Sequence, residues 1–464
     1  MLTKYFVAQN YSIISRRGEN SIILFPEIPY WIATTKQGEE FLEKLDGKKN
    51  ILEISNEVLG EGNESIAIEF LEPLVESEAV IPLGKKTITN DDISKVIIKP
   101  DKVTLLQTMR CNLKCKHCSV ADQTESADRI ELNLEDVKTA LINVSKIMGE
   151  NKRLAFLGGE PLLGKNFLAV AEFAYEQGFQ LGISTNGLLI DETFAKKAKE
   201  LNMQVQISLD GPTKESHEFI RGRNTFDKTI NAIKLLKKYD VNLQTNMVFH
   251  KDNVDLIPKY IELGKQFDIK SLRLIPLLNM GRAKENLGIL SIEEMVDKII
   301  SLIKTDPELI PYLSDTNFMG LVTNARLTNR MIGCGSGIIT VILDPKGDIY
   351  PCLNTYREQY KIINVFEDDF EKKFFESEIH KKFRSLRIDQ LNDTCASCDF
   401  RYVCGGLCRG ETMEVTSDLE APYPYCESWK NAMIKIYWLL TEYPELGKEK
   451  EERVLQNERF FSVC

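Results

Sequence analysis

Apolar and polar residues follow two rhythms along this chain, and the change falls near residue 100. Before it, alternating stretches stand at Tyr11–Arg16, Ser21–Phe25 and Tyr30–Thr34, separated by Arg-Gly-Glu-Asn and Pro-Glu-Ile-Pro. Alternation bounded by turn formers predicts three strands. Helical patterns follow: Thr35 is placed to cap the first, Asn50 the second, and the third covers Glu64–Ala79 with a kink at Pro73. Three strands and then three helices predict a winged-helix-like α+β domain over residues 1–88, with a polar linker over 89–101 that ends in an extended Val96–Lys99 and Pro100. From Val103 strand-like and helical runs alternate. The strand-like runs are Val103–Gln107, Leu154–Leu157, Phe179–Ile183, Met203–Ile207, Leu243–Val248 and Leu272–Ile275; helical patterns between them include Leu134–Met148 after Asn133, Phe167–Glu176 and Phe226–Tyr239. Six such units predict an α/β fold, a parallel curved sheet covered by helices over 102–310, with functional residues at the C-terminal ends of its strands. Residues 311–430 form a further segment and 431–464 a C-terminal helix and tail, with Trp429–Leu440 reading as an amphipathic helix that packs on the body.

Bulk properties narrow the function classes. A net charge of −10 argues against nucleic acid as a general partner. The longest apolar runs, such as Ile436–Leu440, are too short to span a membrane, and Met-Leu-Thr-Lys-Tyr-Phe at the start has no secretory apolar segment. A cytoplasmic, reducing location is expected, and there eleven cysteines point to metal or catalysis, not disulfides.

Three of those cysteines, Cys111, Cys115 and Cys118, stand in one C-x3-C-x2-C loop after the first barrel strand, and the next cysteine is Cys334. Three thiolates can hold three irons of a 4Fe–4S cluster and leave the fourth open to a substrate or cofactor. A zinc site prefers closed sets of four, and His117, inside the C-x2-C step, is badly placed to complete one. Polar groups recur at later strand ends: Gly158-Gly159-Glu160-Pro161, Ser184-Thr185-Asn186-Gly187, Ser208-Leu209-Asp210-Gly211-Pro212 and Asn246, with Arg273 on the sixth strand. Each also reads as a turn or a structural group; together, downstream of the triplet, they mark a candidate site. Seven more cysteines follow. Cys334, Gly347 and Cys352 come first, then Cys395-x2-Cys398-x5-Cys404-x3-Cys408, then Cys426. A hairpin turning at Asp344–Gly347 between Ile338–Leu343 and Ile349–Tyr350 would bring Cys334 and Cys352 together. A zinc ribbon accounts for four of the seven and leaves Cys334, Cys352 and Cys426 unexplained.

The triplet and the strand-end groups resemble the radical S-adenosylmethionine (SAM) superfamily, and the seven-cysteine pattern resembles its SPASM extension; the first 88 residues are similar to the RiPP recognition element, which binds the leaders of ribosomally made precursor peptides. The resemblance implies a partial (β/α)6 barrel, with the open iron at Cys111, Cys115 and Cys118 chelating SAM. It implies SAM contacts from Gly158, Gly159 and Glu160 (the amino group) and from Ser184, Asn186, Ser208, Asp210, Asn246 and Arg273. It further implies two auxiliary 4Fe–4S clusters, three in all, with Cys395, Cys398, Cys404 and Cys426 holding the distal one and Cys334, Cys352 and Cys408 the proximal one. Seven ligands for eight positions leave the proximal cluster an open iron, unless Cys464 folds back to it.

The implied activity is hydrogen abstraction from a peptide by a 5′-deoxyadenosyl radical, with electrons from a donor such as a flavodoxin or ferredoxin. A substrate thiolate on the open iron would direct it to thioether crosslinks, as in sactipeptide and ranthipeptide maturases. A carbon–carbon crosslinking cyclase or quinone-cofactor maturase uses the same frame. A sulfatase maturase is disfavoured because Leu353, not an aspartate, follows Cys352. Outside enzymes, the alternative is a zinc-stabilised peptide-binding protein.

Overall fold

A computed structural model describes residues 1–85, 98–121, 124, 131–269, 271–313, 316–326 and 330–448. Most of the expected linker and Cys464 therefore lie outside the described residues. The N-terminal segment forms β1 (Tyr5–Ala8), β2 (Ser12–Arg17), β3 (Asn20–Phe25), β4 (Tyr30–Thr35), β5 (Asp46–Asn50) and β6 (Val80–Pro82), with helices at Lys36–Glu43, Ile51–Val58 and Glu64–Glu76. The three expected strands make one antiparallel sheet, β2-β3-β4, but β5-β1-β6 is a second sheet that the sequence pattern did not announce. β5 reads Asp-Gly-Lys-Lys-Asn and has no apolar alternation to find. The third helix stops at Glu76, short of the expected Ala79, because Glu78 turns left-handed and the chain enters β6. Asn50 caps the second helix reciprocally with Glu53, whereas Thr35 makes no side-chain cap.

β3 is buried along Ser21–Phe25, and its two faces serve different cores. Ile23 and Phe25 join Phe41, Leu42, Ile54 and Leu71 inside the module; Ile22 and Leu24 join the main core. Period-two geometry thus turns one apolar strand into a two-sided weld. The outer face is fastened further. Trp31 donates to the Ala325 carbonyl at 2.7 Å and packs its ring 4.7 Å from Tyr437. Trp438 donates to the Ser15 hydroxyl at 2.9 Å, with the Arg17 guanidinium over its ring.

The main sheet has nine strands in the order β12-β11-β10-β9-β8-β7-β13-β14-β15. β7 (Lys102–Thr108), β8 (Arg153–Gly158), β9 (Gln180–Thr185), β10 (Gln204–Ser208), β11 (Leu243–Phe249) and β12 (Ser271–Pro276) are parallel neighbours in chain order, which is the expected partial barrel. The expected hairpin is β13 (Thr340–Leu343) and β14 (Asp348–Tyr350), followed by β15 (Ile363–Asn364). It does not stand apart. β13 lies parallel to β7, with Thr340 opposite Lys102 and Leu343 opposite Leu105, so the C-terminal part continues the barrel sheet. The last helix runs Cys426–Glu442 without a break, so a boundary at 430 cuts through it. Among the described residues no helix is long and apolar enough to cross a membrane.

Trp31→Ala removes a ring contact and a hydrogen bond. It should loosen the docking of β2-β3-β4 by about 2–3 kcal/mol. Hydrogen exchange should quicken across residues 12–35 while the barrel strands keep their protection; unchanged exchange would contradict the weld.

Candidate functional site

The cysteine loop leaves β7 at Thr108 and has almost no regular structure of its own. Its polar backbone is satisfied by groups from the other strand ends. Gly159 donates its N–H to the Thr108 carbonyl at 3.1 Å and Glu160 to the Arg110 carbonyl at 2.8 Å. A side chain at either glycine would collide with this backbone: a Cβ on Gly158 would stand 2.2 Å from the Thr108 oxygen, and one on Gly159 2.2 Å from that of Arg110. The two glycines are needed by the loop itself. From β9, the Asn186 amide donates to Asn112 at 2.8 Å. After β12, Arg282 donates from its backbone to the Cys118 carbonyl at 3.1 Å and from its side chain to that of Cys115 at 2.9 Å. Gly281 lies so close that a Cβ would meet the Cys118 oxygen at 2.3 Å.

Beneath the loop lies a buried charge cluster. Asp210, fully buried, accepts from Arg221 Nε at 2.5 Å, His117 Nε2 at 2.9 Å and the Val248 N–H at 2.8 Å. Burial by itself would raise the Asp210 pKa; the Arg221 charge, with the hydrogen bonds from His117 and Val248, reverses this and holds the carboxyl well below the usual carboxylate range. His217 accepts the Asp210 N–H through Nδ1, and burial with the Arg221 charge pushes its pKa down to about 4. Arg221 reaches on to the Cys115 sulfur at 3.9 Å. Asp210 is thus placed behind the loop, its oxygens already taken by protein donors. His117, considered above only as a zinc ligand, is one of them, while Arg221 and Arg282 were not anticipated.

Glu160 is also enclosed. Its carboxylate accepts from the Thr185 hydroxyl at 2.6 Å, the Asn186 N–H at 2.9 Å and the Leu162 N–H at 3.2 Å, and burial still pushes its pKa upward. It ties the β8 and β9 ends together. The remaining strand groups meet at a residue that was missed. Gln206 donates to Ser184 and Asn246, both at 3.1 Å, and accepts from Arg273 at 2.9 Å. The signal was present in Gln204-Val205-Gln206-Ile207-Ser208, where every second residue of a buried strand is polar. Ser208 closes that strand, nearly buried.

The cysteines fall into the three expected groups. Burial raises the thiol pKa of Cys111 and takes that of Cys115 up to about 11, and repulsion from Cys118 adds to both. Cys334 and Cys408 each feel Cys352 in the same way. In the distal group, after burial, Cys398 acts in the same way on Cys395, Cys404 and Cys426. Cys404 and Cys408 are four residues apart yet belong to different groups. The chain between them turns through left-handed Gly405, Gly406 and Leu407. Burial takes both thiols up to about 12, so ligation by a cation must replace their protons. Donors already face the sulfurs: Gly406 N–H to Cys404 at 3.3 Å, Asn354 to Cys408 at 3.3 Å and the Glu411 N–H to Cys408 at 3.4 Å; the Thr355 hydroxyl also lies 3.3 Å from Cys352.

Among the described residues no three of His, Cys, Asp or Glu close around a point that could hold a single metal ion. A zinc ion needs bonds of about 2.3 Å to each sulfur, whereas a cubane spreads its thiolates over separate irons. Thiols grouped by three, four and three, with hydrogen-bond donors on several sulfurs, fit iron–sulfur clusters.

Asp210→Asn would leave the buried Arg221 without its counter-charge. Breaking such a buried pair costs about 3–5 kcal/mol. The variant should unfold at lower urea and, after anaerobic reconstitution, retain less iron than the wild type; wild-type values for both would contradict the supporting role of this cluster.

Two domain families match the chain, the Radical SAM superfamily over residues 105–263 and an iron–sulfur cluster-binding domain, SPASM, over 334–399. Similar proteins include mycofactocin maturase MftC of Mycolicibacterium smegmatis, 27% identical over 69% of this chain and 81% of that one. Another is the AdoMet-dependent heme synthase of Methanosarcina barkeri, 26% identical over 69% and 94%. Among solved structures, Streptococcus suis SuiB bound to precursor peptide SuiA shares the fold at a TM-score of 0.56 and 16% identity, over 91% of this chain and 99% of that one. On its sheet, its cysteine groups and both domain matches, this chain carries a radical SAM domain with that fold and, after it, an iron–sulfur cluster-binding SPASM domain.

Proposed function

We propose that this enzyme forms thioether crosslinks, cysteine sulfur to carbon, in a ribosomally synthesised precursor peptide. Cys111, Cys115 and Cys118 would hold the SAM-binding cluster, with Gly158–Glu160, Ser184, Asn186, Ser208, Asn246 and Arg273 around SAM and Asp210 supporting the loop from behind. When bound, SAM and the reduced cluster supply a 5′-deoxyadenosyl radical able to take hydrogen from carbon. The chain's own work is to fix the loop and line the barrel with the polar Gln206 network.

The observation that carries the thioether reading is the size of the proximal group. The ten described cysteines divide into three, three and four, so no described thiol is left to complete Cys334, Cys352 and Cys408. A substrate thiol suits the remaining position, since soft sulfur ligands suit iron–sulfur sites. Forming one carbon–sulfur bond from C–H and S–H removes two hydrogens from the peptide.

For substrate capture, β4 is one of the two edge strands of its sheet, and the helix Glu64–Glu76 packs on the helix that follows β4, with Phe70 beside Gly38 and Phe41. An extended leader added along β4 would gain main-chain hydrogen bonds and a neighbouring helix, the β-augmentation mode. SuiB, solved with its precursor peptide, supports a peptide substrate. The heme synthase name among the relatives makes the substrate class the first thing to test.

Anaerobic reconstitution with SAM, reductant and candidate precursor peptides, read by tandem mass spectrometry after thiol alkylation, tests the reading. A loss of two hydrogens with cysteines blocked to alkylation is expected. The same loss with free cysteines would move the assignment to carbon–carbon bonding. Cys352→Ala should reduce crosslinking at least tenfold while SAM cleavage without crosslinking persists; full crosslinking would remove the role of the proximal group. Deleting residues 1–88 should weaken binding of leader-containing peptide by tenfold or more, and unchanged affinity would rule that module out.

A further inference from the structure

One buried side chain between the auxiliary cysteine groups is not used by the reading above. Arg409 follows Cys408 directly and is only 2% exposed. Its guanidinium donates to the carbonyls of Leu419 at 3.1 Å, Ala421 at 2.8 Å and Gly406. Its Nε is buried without a partner. All these acceptors are neutral, and among the described residues no carboxylate pairs with it. Glu411, two residues on and also buried, instead accepts the Tyr423 hydroxyl at 2.7 Å.

An isolated buried cation is expensive, by several kcal/mol. Native proteins bury charges beside opposite charges, so something anionic has to face this guanidinium. The surroundings say what. Arg409 directly follows Cys408 of the proximal group, and its guanidinium bonds the carbonyl of Gly406, whose N–H in turn faces the Cys404 sulfur of the distal group at 3.3 Å. Its positive charge also favours the thiolates of Cys334, Cys395 and Cys426. One cation therefore acts on both groups. We propose that Arg409 is the shared counter-charge of the two auxiliary clusters and raises the reduction potentials of both. Reduction adds one negative charge to a site facing the guanidinium, so the guanidinium favours the reduced form. Second-shell charge and hydrogen bonding are established levers on cluster potential.

The proposal rests on auxiliary clusters at these cysteines but not on thioether chemistry. Its test uses full-length enzyme reconstituted anaerobically with iron and sulfide, in three forms: wild type, Arg409→Gln and Arg409→Lys. Gln keeps an amide donor for the carbonyls without charge; Lys keeps the charge. Iron is counted, and dithionite titrations are followed by electron paramagnetic resonance, with the SAM-binding cluster identified by its response to added SAM. Arg409→Gln should make both auxiliary clusters at least tenfold harder to reduce, about 59 mV for a one-electron couple. Arg409→Lys should stay near the wild type, and the SAM-binding cluster should not shift. Auxiliary potentials unmoved in Arg409→Gln, or shifted equally in Arg409→Lys, would overturn the proposal. Loss of auxiliary iron in both variants would overturn it too, making Arg409 a scaffold residue. A wild type holding only about four irons, one cubane, would remove the auxiliary clusters themselves and so fail the underlying reading separately.

Discussion

The backbone of the cysteine loop has no ladder of its own, so its carbonyls and N–H groups must find partners on other elements or stay unpaired in a partly buried site. The barrel supplies partners for this backbone and for the loop's side chains from four places. The β8 end donates two N–H groups, the β9 end an asparagine amide, the β10 side the Asp210–Arg221–His117 charge cluster, and the segment after β12 the Arg282 backbone and guanidinium. Parallel strands in chain order present all their C-terminal ends on one side. A single loop crossing that side can therefore be bonded by residues more than a hundred positions away. The shape of the thiol triplet is a property of the whole sheet.

This explains what was legible in the sequence and what was not. Cysteine spacing and strand-end motifs are local patterns, and the thiols that influence one another are those that the resemblance grouped together. Roles were harder. Glu160 and Asp210 stand where expected, yet both carboxylates are enclosed by protein donors, since burial near a loop rich in unpaired groups makes a carboxylate more useful as an anchor than as an open ligand. Arg221 and Arg282 went unread because a lone arginine on a helix or in a loop carries no local signature. Gln206 was readable in principle, as a polar beat within a buried strand. β5 was not, because its pairing rests on backbone geometry and its side chains are polar.

Continuity of the sheet also links the two metal-bearing regions. β7 runs into the cysteine loop, β13 is held against β7 in fixed register, and β14 leads through Pro351 to Cys352. The auxiliary thiols are thus placed relative to the triplet by main-chain hydrogen bonds and not by a hinge. The N-terminal module is fixed in a comparable way, because β3 contributes to two cores at once and Trp31 and Trp438 clamp its outer face. A peptide gripped by that module would be held at a defined distance from the barrel.

The two buried arginines close the electrostatic picture. Arg221 lies against Cys115 but is paired with Asp210, so the triplet faces a guanidinium whose charge is largely cancelled. Among the described residues the Arg409 guanidinium bonds carbonyls and no carboxylate, so the auxiliary thiols face a cation in full. With clusters in all three places, that asymmetry favours adding an electron on the auxiliary side relative to the SAM side, because the same unit charge is neutralised in one place and not in the other. Chemistry that starts with a strongly reducing cluster and ends by removing an electron from the product needs such a downhill direction. With clusters bound, that direction would be set in this chain by where a carboxylate meets an arginine and where none does.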